Sequence, residues 1–175
     1  IGIASLGYAV PGTVIAVGVL IPIAWLDNQI DFLSRAWFDY PTGLLLSGTL
    51  GMLVFAYLVR FLSIALNTVD SGLISIKPNL DESARSLGAS PSKVLRRIHL
   101  PILRTSLLTA LLLVFVEVLK ELPTTLILRP FNFNTLAVRT YELASDERLM
   151  DAALPALAIV IIGLLPVLLL SLIHI

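Results

Sequence analysis

Four long stretches without Asp, Glu, Lys, Arg or His constrain this chain more than any other feature. They cover residues 1–26, 42–59, 105–116 and 152–173. After Arg60 the apolar pattern continues to Leu66, and apolar residues extend the third stretch to about 102–122. A helix needs about 20 apolar residues to cross a bilayer. The sequence therefore predicts four membrane spans near 8–26, 43–66, 102–122 and 152–173. Two-residue alternation is weak and Leu and Ala are abundant, which favours helices over barrel strands. Composition agrees: 57% of the 175 residues are hydrophobic and 14% charged, against about 45–50% and about 25% in soluble domains. The expected fold is all-α, a polytopic transmembrane helical bundle forming a single domain over 1–175, with the lipid bilayer as a partner.

The first stretch is too long for a signal peptide and has no basic leader or cleavage site. It begins in apolar sequence without Met, so the chain is expected to be a fragment of something longer. Twelve basic residues balance twelve acidic ones, which argues against a nucleic-acid partner. With no cysteine, disulfides, thiolate metal sites and cysteine nucleophiles are excluded. His99 and His174 stand alone in the sequence, so no catalytic or metal-ligating role is expected of either.

Orientation follows from the basic residues. The 27–41 segment holds Arg35 against Asp27, Asp31 and Asp39. The 67–101 segment holds Lys77, Arg85, Lys93, Arg96 and Arg97, with Arg60 and Arg104 just inside the flanking spans. The 67–101 loop is therefore expected on the cytoplasmic side, together with both chain ends, and 123–151 outside. Pro11, Pro22, Pro155 and Pro166 lie in or near the first and last spans, where neighbouring helices can satisfy freed carbonyls. Gly43, Ser47 and Gly51 recur every four residues of the expected second span. That stripe suits plain bundle packing or a surface facing a second subunit.

The 67–101 loop is the informative part. Asn79 reads as a helix N-cap with Glu82 reaching back, and Leu80, Ala84 and Leu87 share a face. Gly88 can end this short helix. Ser90-Pro91 begins a second one, which Leu100-Pro101 is expected to interrupt before the third span. No paired nucleophile and base occurs here.

Glu82-Ser83-Ala84, three residues, Gly88, nine residues, then Ile98-His99-Leu100-Pro101 resembles the cytoplasmic signature of binding-protein-dependent ABC importer permeases. That signature reads E-A-A, three residues, G, nine residues, I-x-L-P. Every spacing matches, and Ser83 for the first alanine is the one departure. Segments 6–13, 120–125 and 141–147 are similar to permeases of the ferric iron type. Those are often two homologous halves in one chain, and this sequence resembles the C-terminal half without its first two helices.

The resemblance implies a bacterial inner-membrane, multi-pass subunit that passes substrate from a periplasmic binding protein to the cytoplasm. It also implies another permease half or subunit, and cytoplasmic ABC ATPase subunits as partners. Residues 80–90 would be the coupling helix docking on the ATPase, with Glu82, Ser83, Ala84, Gly88, Ile98, Leu100 and Pro101 as signature positions. The chain has no G-x-x-x-x-G-K-[ST] phosphate loop. It is therefore expected to be no enzyme and to bind no cofactor itself, ATP residing on the partner subunit. Ferric iron is the expected substrate; thiamine, sulfate, polyamine or phosphonate are alternatives within the same machinery. A non-transport membrane scaffold or sensor is the rival of a different class.

Glu117, Lys120 and Glu121 sit at i, i+3 and i+4 of the expected third span, on one face. Counting from Arg104 puts Glu117 ~20 Å up, in the outer half of the membrane. These three either line the translocation pathway or form an ion pair at the outer interface. Two carboxylates suit a hard cation such as Fe³⁺ but do not by themselves make a site. Farther on, Asn134 is expected to cap a helix through Ala144. Tyr141, Glu142, Asp146 and Glu147 then either meet a substrate-binding protein or decorate a surface helix with no partner.

Overall fold

A computed structural model describes residues 6–173 of the chain; His174 lies outside the described residues. Among these the regular structure is all helical, and four helices are long and apolar enough to cross a membrane. A short helix α1 (Leu6–Ala9) leads through Pro11 into α2 (Gly12–Phe38), which keeps Pro22 in its interior. The first span thus continues well beyond residue 26, and most of the expected 27–41 loop is helix. Its charges are tolerated because they are satisfied locally. The buried Asp27 carboxylate accepts from the backbone N–H groups of Leu45, Leu46 and Ser47 at 3.2, 2.9 and 2.7 Å. Asp31 accepts from Arg35 at 2.7 Å and from the Gly43 N–H at 2.9 Å.

Asp39 in the left-handed conformation ends α2, and the chain turns through Gly43 and Gly48, with φ of 63° and 71°. Helix α3 (Leu50–Ile74) starts at Thr49, whose hydroxyl accepts from the Met52 N–H at 3.3 Å. Gly43 and Ser47 therefore belong to a loop, and the expected Gly43–Ser47–Gly51 stripe does not exist on a helix face. Residues 43–49, expected as span, form a loop instead, and three of their N–H groups bind the Asp27 carboxylate.

Helix α4 (Pro78–Ser86) follows, then α5, which runs unbroken over Pro91–Leu119. Pro101 does not interrupt it. A π-helical turn over Leu95–His99 precedes the proline, with the Leu100 N–H bonded to the Leu95 carbonyl. Proline lacks an N–H and crowds the carbonyl four residues back; the wider turn absorbs both defects. Helices α6 (Pro123–Leu128), α7 (Leu136–Ser145) and α8 (Leu149–Ile173) complete the fold. Thr135, not Asn134, caps α7, its hydroxyl accepting from the Val138 N–H at 3.3 Å.

Packing is antiparallel and staggered. Ile15, Ala16 and Val19 of α2 close on Met52, Leu53 and Ala56 of α3, with Leu128 of α6. The α2 residues recur at one-turn spacing, and fully buried Ala16 and Ala56 let the two backbones approach. The other half of α3 packs along α5, where Gly72 lies against Ser106. Helix α8 packs on α7 and α5. Residues such as Ile21, Phe55, Leu111 and Ile161 remain exposed, an apolar exterior suited to lipid.

Candidate functional site: helix α4 and a buried charge junction

Helix α4 is built by its ends. Lys77 is the N-cap and Pro78 occupies the first turn, so Asn79 lies one residue inside the helix rather than capping it. Proline there forfeits only an N–H that has no helical acceptor anyway. At the other end the Gly88 N–H bonds the Arg85 carbonyl at 2.9 Å, and the Ala89 N–H bonds the Ala84 carbonyl at 3.0 Å. This is a Schellman closure, and Gly88 supplies its left-handed residue with φ of 77°. The expected helix over 80–90 is therefore displaced to Pro78–Ser86, with Gly88 as its stop.

The signature residues divide by direction. Glu82 and Ser83 are exposed, and the Ser83 hydroxyl turns back to the Asn79 carbonyl at 2.7 Å. Ala84 is buried, as is Val94 near the start of α5. Leu80 and Leu87 do not join Ala84 in an apolar contact; both are exposed, Leu87 at 88%. Ile98 is half-buried in the π-helical turn, while Leu100 and Pro101 are exposed on α5. His99 is not alone: its Nε2 lies 2.7 Å from Asp81 Oδ1 of α4. Sequence inspection missed this pair because nothing local relates positions 81 and 99.

The second feature lies where α5 stops. Its last residue is Leu119, and Lys120 caps it. Glu121 is beyond the helix and 6% exposed, with Oε2 3.2 Å from Nε of Arg60 on α3. Glu121 Oε1 accepts from the Thr124 N–H at 3.1 Å and lies 2.7 Å from the Thr124 hydroxyl, which is also 3.2 Å from the Gly12 carbonyl. The Thr125 hydroxyl donates to the Glu121 carbonyl at 2.9 Å and meets the Tyr57 hydroxyl. Arg60 Nη1 reaches the Val10 carbonyl at 3.4 Å. A Cβ on Gly12 would come within 2.6 Å of both Arg60 Nη1 and Thr124 Oγ1, so any side chain there would press on the junction. Segments 6–13 and 120–125 thus converge on one arginine.

This junction sits near mid-length of the bundle. Arg60 is roughly 15 Å from the Leu50 end of α3 and about 21 Å from the Ile74 end. A Cβ on Gly163, near the middle of α8, would stand 3.9 Å from Leu119 Cδ2. Glu117, two residues before the end of α5, is therefore level with the middle part of α3. Nor do Glu117, Lys120 and Glu121 form one face. Lys120 Nζ pairs with Glu117 at 2.8 Å and remains accessible, whereas Glu121 turns inward to Arg60. The cause is the helix end at Leu119, three residues earlier than the expected span, ahead of Pro123.

In the 129–135 segment, Glu142 Oε1 accepts from Arg129 Nη2 at 2.8 Å and Asn134 donates to Glu142 Oε2 at 2.9 Å. Arg129 also bonds Asn134 Oδ1. Tyr141, Asp146 and Glu147 are exposed, and Glu142 is tied into this network. Among the described residues no group of three or more His, Asp or Glu converges as a metal-binding set would.

Residues 2–174 match the family of binding-protein-dependent transport system inner membrane components. The chain is 29% identical over 164 residues to the Fe(3+)-transport system permease protein FbpB 2 of Haemophilus influenzae, covering 94% of this chain and 29% of that protein. It is 26% identical over 139 residues to the ferric transport system permease protein FbpB of Actinobacillus pleuropneumoniae, covering 79% and 20%. A Salmonella typhimurium protein provisionally named as the 2-aminoethylphosphonate transport system permease protein PhnV is 29% identical over 157 residues, covering 90% and 53%. The chain thus spans 20% to 53% of the length of these relatives.

Proposed function

The chain belongs to the family of binding-protein-dependent transport system inner membrane components, and on that premise we propose that it is part of the permease of an ATP-driven importer for ferric iron. In this reading it lies in a bacterial inner membrane, receives substrate from a periplasmic binding protein and works beside another permease half or subunit. ATP is hydrolysed on separate ABC ATPase subunits. The observation that carries the reading is α4. It is a short helix begun by Pro78 and closed at its C-terminus by Gly88, displaying Glu82, Ser83 and Leu87 outward while buried Ala84 and the Asp81–His99 pair tie it to α5. A rigid element so mounted can pass ATPase closure to a membrane helix as a rigid-body movement.

The α4 side is accordingly the cytoplasmic side, in line with its basic residues. The Glu117–Lys120 pair, half-buried at Glu117 and exposed at Lys120, is the better remnant of a pathway lining; Glu121 is committed to Arg60 and holds the broken α5–α6 connection together. Interrupted helices near mid-membrane are common where transporters handle their cargo. A phosphonate importer is the second reading, favoured by the provisional name of the Salmonella relative. Uptake of radiolabelled ferric iron and of 2-aminoethylphosphonate, measured side by side in cells expressing the complete transporter, tests the two. Iron uptake that requires this chain and ATP is expected; ATP-dependent phosphonate uptake alone would favour the second reading.

A further inference from the structure

The connection between α4 and α5 contains a weak point. Residues 87–90 carry the chain through the left-handed Gly88, and among the described residues no heavy atom lies within 4 Å of where a Cβ on Gly88 would stand. A push applied to the exposed face of α4 would be dissipated by rotation at that turn unless something else fixed the helix to its neighbour. Two contacts do so. One is apolar, between the stretches bearing buried Ala84 and Val94. The other is polar and directional: His99 Nε2 to Asp81 Oδ1 at 2.7 Å, both side chains half-buried, at 21% and 32% exposure.

His99 is the last residue of the π-helical turn, next to the residues that enter the straight run toward Leu119. The turn inserts one residue into the helical phase, which rotates the run from Leu100 onward by about 100° relative to the first turn of α5. Asp81 lies in the first turn of α4, at the end far from Gly88. The contact therefore crosses the open end of the α4–α5 corner, where a brace has the greatest leverage against rotation about Gly88.

We propose that the Asp81–His99 contact is the positioning brace that makes α4 and α5 move as one body during the transport cycle. This rests on the reading of α4 as the ATPase-coupling helix. His99 and Asp81 touch no substrate and no nucleotide; they act through α4. Without the brace, α4 still docks on the ATPase, but its displacement is taken up at Gly88 and α5 does not follow.

The assembled transporter in proteoliposomes, with radiolabelled ferric iron as probe, tests this by uptake per ATP hydrolysed. His99→Leu is expected to keep the ATPase bound and turning over while uptake per ATP falls at least tenfold. The exchange Asp81→His/His99→Asp, which restores the pair with reversed identities, should recover most of that ratio. A wild-type ratio in His99→Leu would overturn the proposal, as would loss of the ATPase from that variant, or failure of the exchange to recover any coupling. Gly88→Val separates the two levels. If it too leaves attachment and uptake normal, the coupling reading of α4 fails; if it is defective while His99→Leu is normal, only the brace fails.

Discussion

Glu121 Oε2 and Arg60 Nε lie 3.2 Å apart where α5 ends, level with the middle of α3, with both side chains largely buried. A charge pair in that position costs much to desolvate, and removing one partner strands the other. Thr124, Gly12 and Val10 supply the remaining contacts, so the junction locks α3, α5, α6 and the start of α2 together.

Removing either charge is therefore expected to damage folding before transport. Glu121→Gln and Arg60→Met should each destabilise the protein by about 3–5 kcal/mol. The double variant Arg60→Met/Glu121→Gln should lose less than the two singles added together. Thermal unfolding in detergent, with abundance in the membrane, measures this. Glu117→Gln, which breaks an accessible pair, should leave stability within ~0.5 kcal/mol, and only its uptake reports on a pathway role.

Gly12 and Gly18 form a matched test on α2. A Cβ at Gly12 would stand 2.6 Å from Arg60 Nη1 and 2.8 Å from Glu121 Oε1, whereas nothing among the described residues lies within 4 Å of one at Gly18. Gly12→Ala should cost about 1–3 kcal/mol by forcing the junction apart. Gly18→Ala should be neutral or stabilising by up to ~1 kcal/mol, since alanine is the better helix former. Unfolding midpoints of the two variants check the contrast.

Because the chain has no cysteine, its orientation can be read from single introduced thiols. Ser92 lies in the first turn of α5 beside α4, and Ser145 ends α7; both are exposed. Cysteines at these positions should label from opposite sides of the membrane with an impermeant maleimide. Labelling of both from outside intact cells would reverse the assignment of α4 to the cytoplasmic side.

The number of spans was readable in the sequence because a bilayer demands apolar length, which no local feature disguises. Their ends were not. Asp27 and Asp31 look like loop residues, yet their carboxylates are answered by backbone N–H groups of the 43–47 loop and by Arg35, contacts without a local signature. Pro101 reads as a helix break, and only a π-helical turn in front of it lets the helix continue. The stop at Leu119 did have a signal: Leu122-Pro123 restricts the residue before proline, and charged residues precede it. Gly88 was readable as a helix stop, since a Schellman closure wants glycine. Asp81 and His99, like Arg60 with Glu121, meet only through tertiary packing.

Gly88→Val tests the central claim most directly. Its left-handed backbone conformation would cost a β-branched residue about 1–3 kcal/mol locally, enough to unwind the Schellman closure without disturbing the packed spans. With the complete transporter purified, the measurement is ATPase retained per permease, together with iron uptake. The account predicts near-normal permease abundance, weakened ATPase attachment and little uptake. A Gly88→Val transporter that keeps its ATPase fully bound and imports at the normal rate would contradict it.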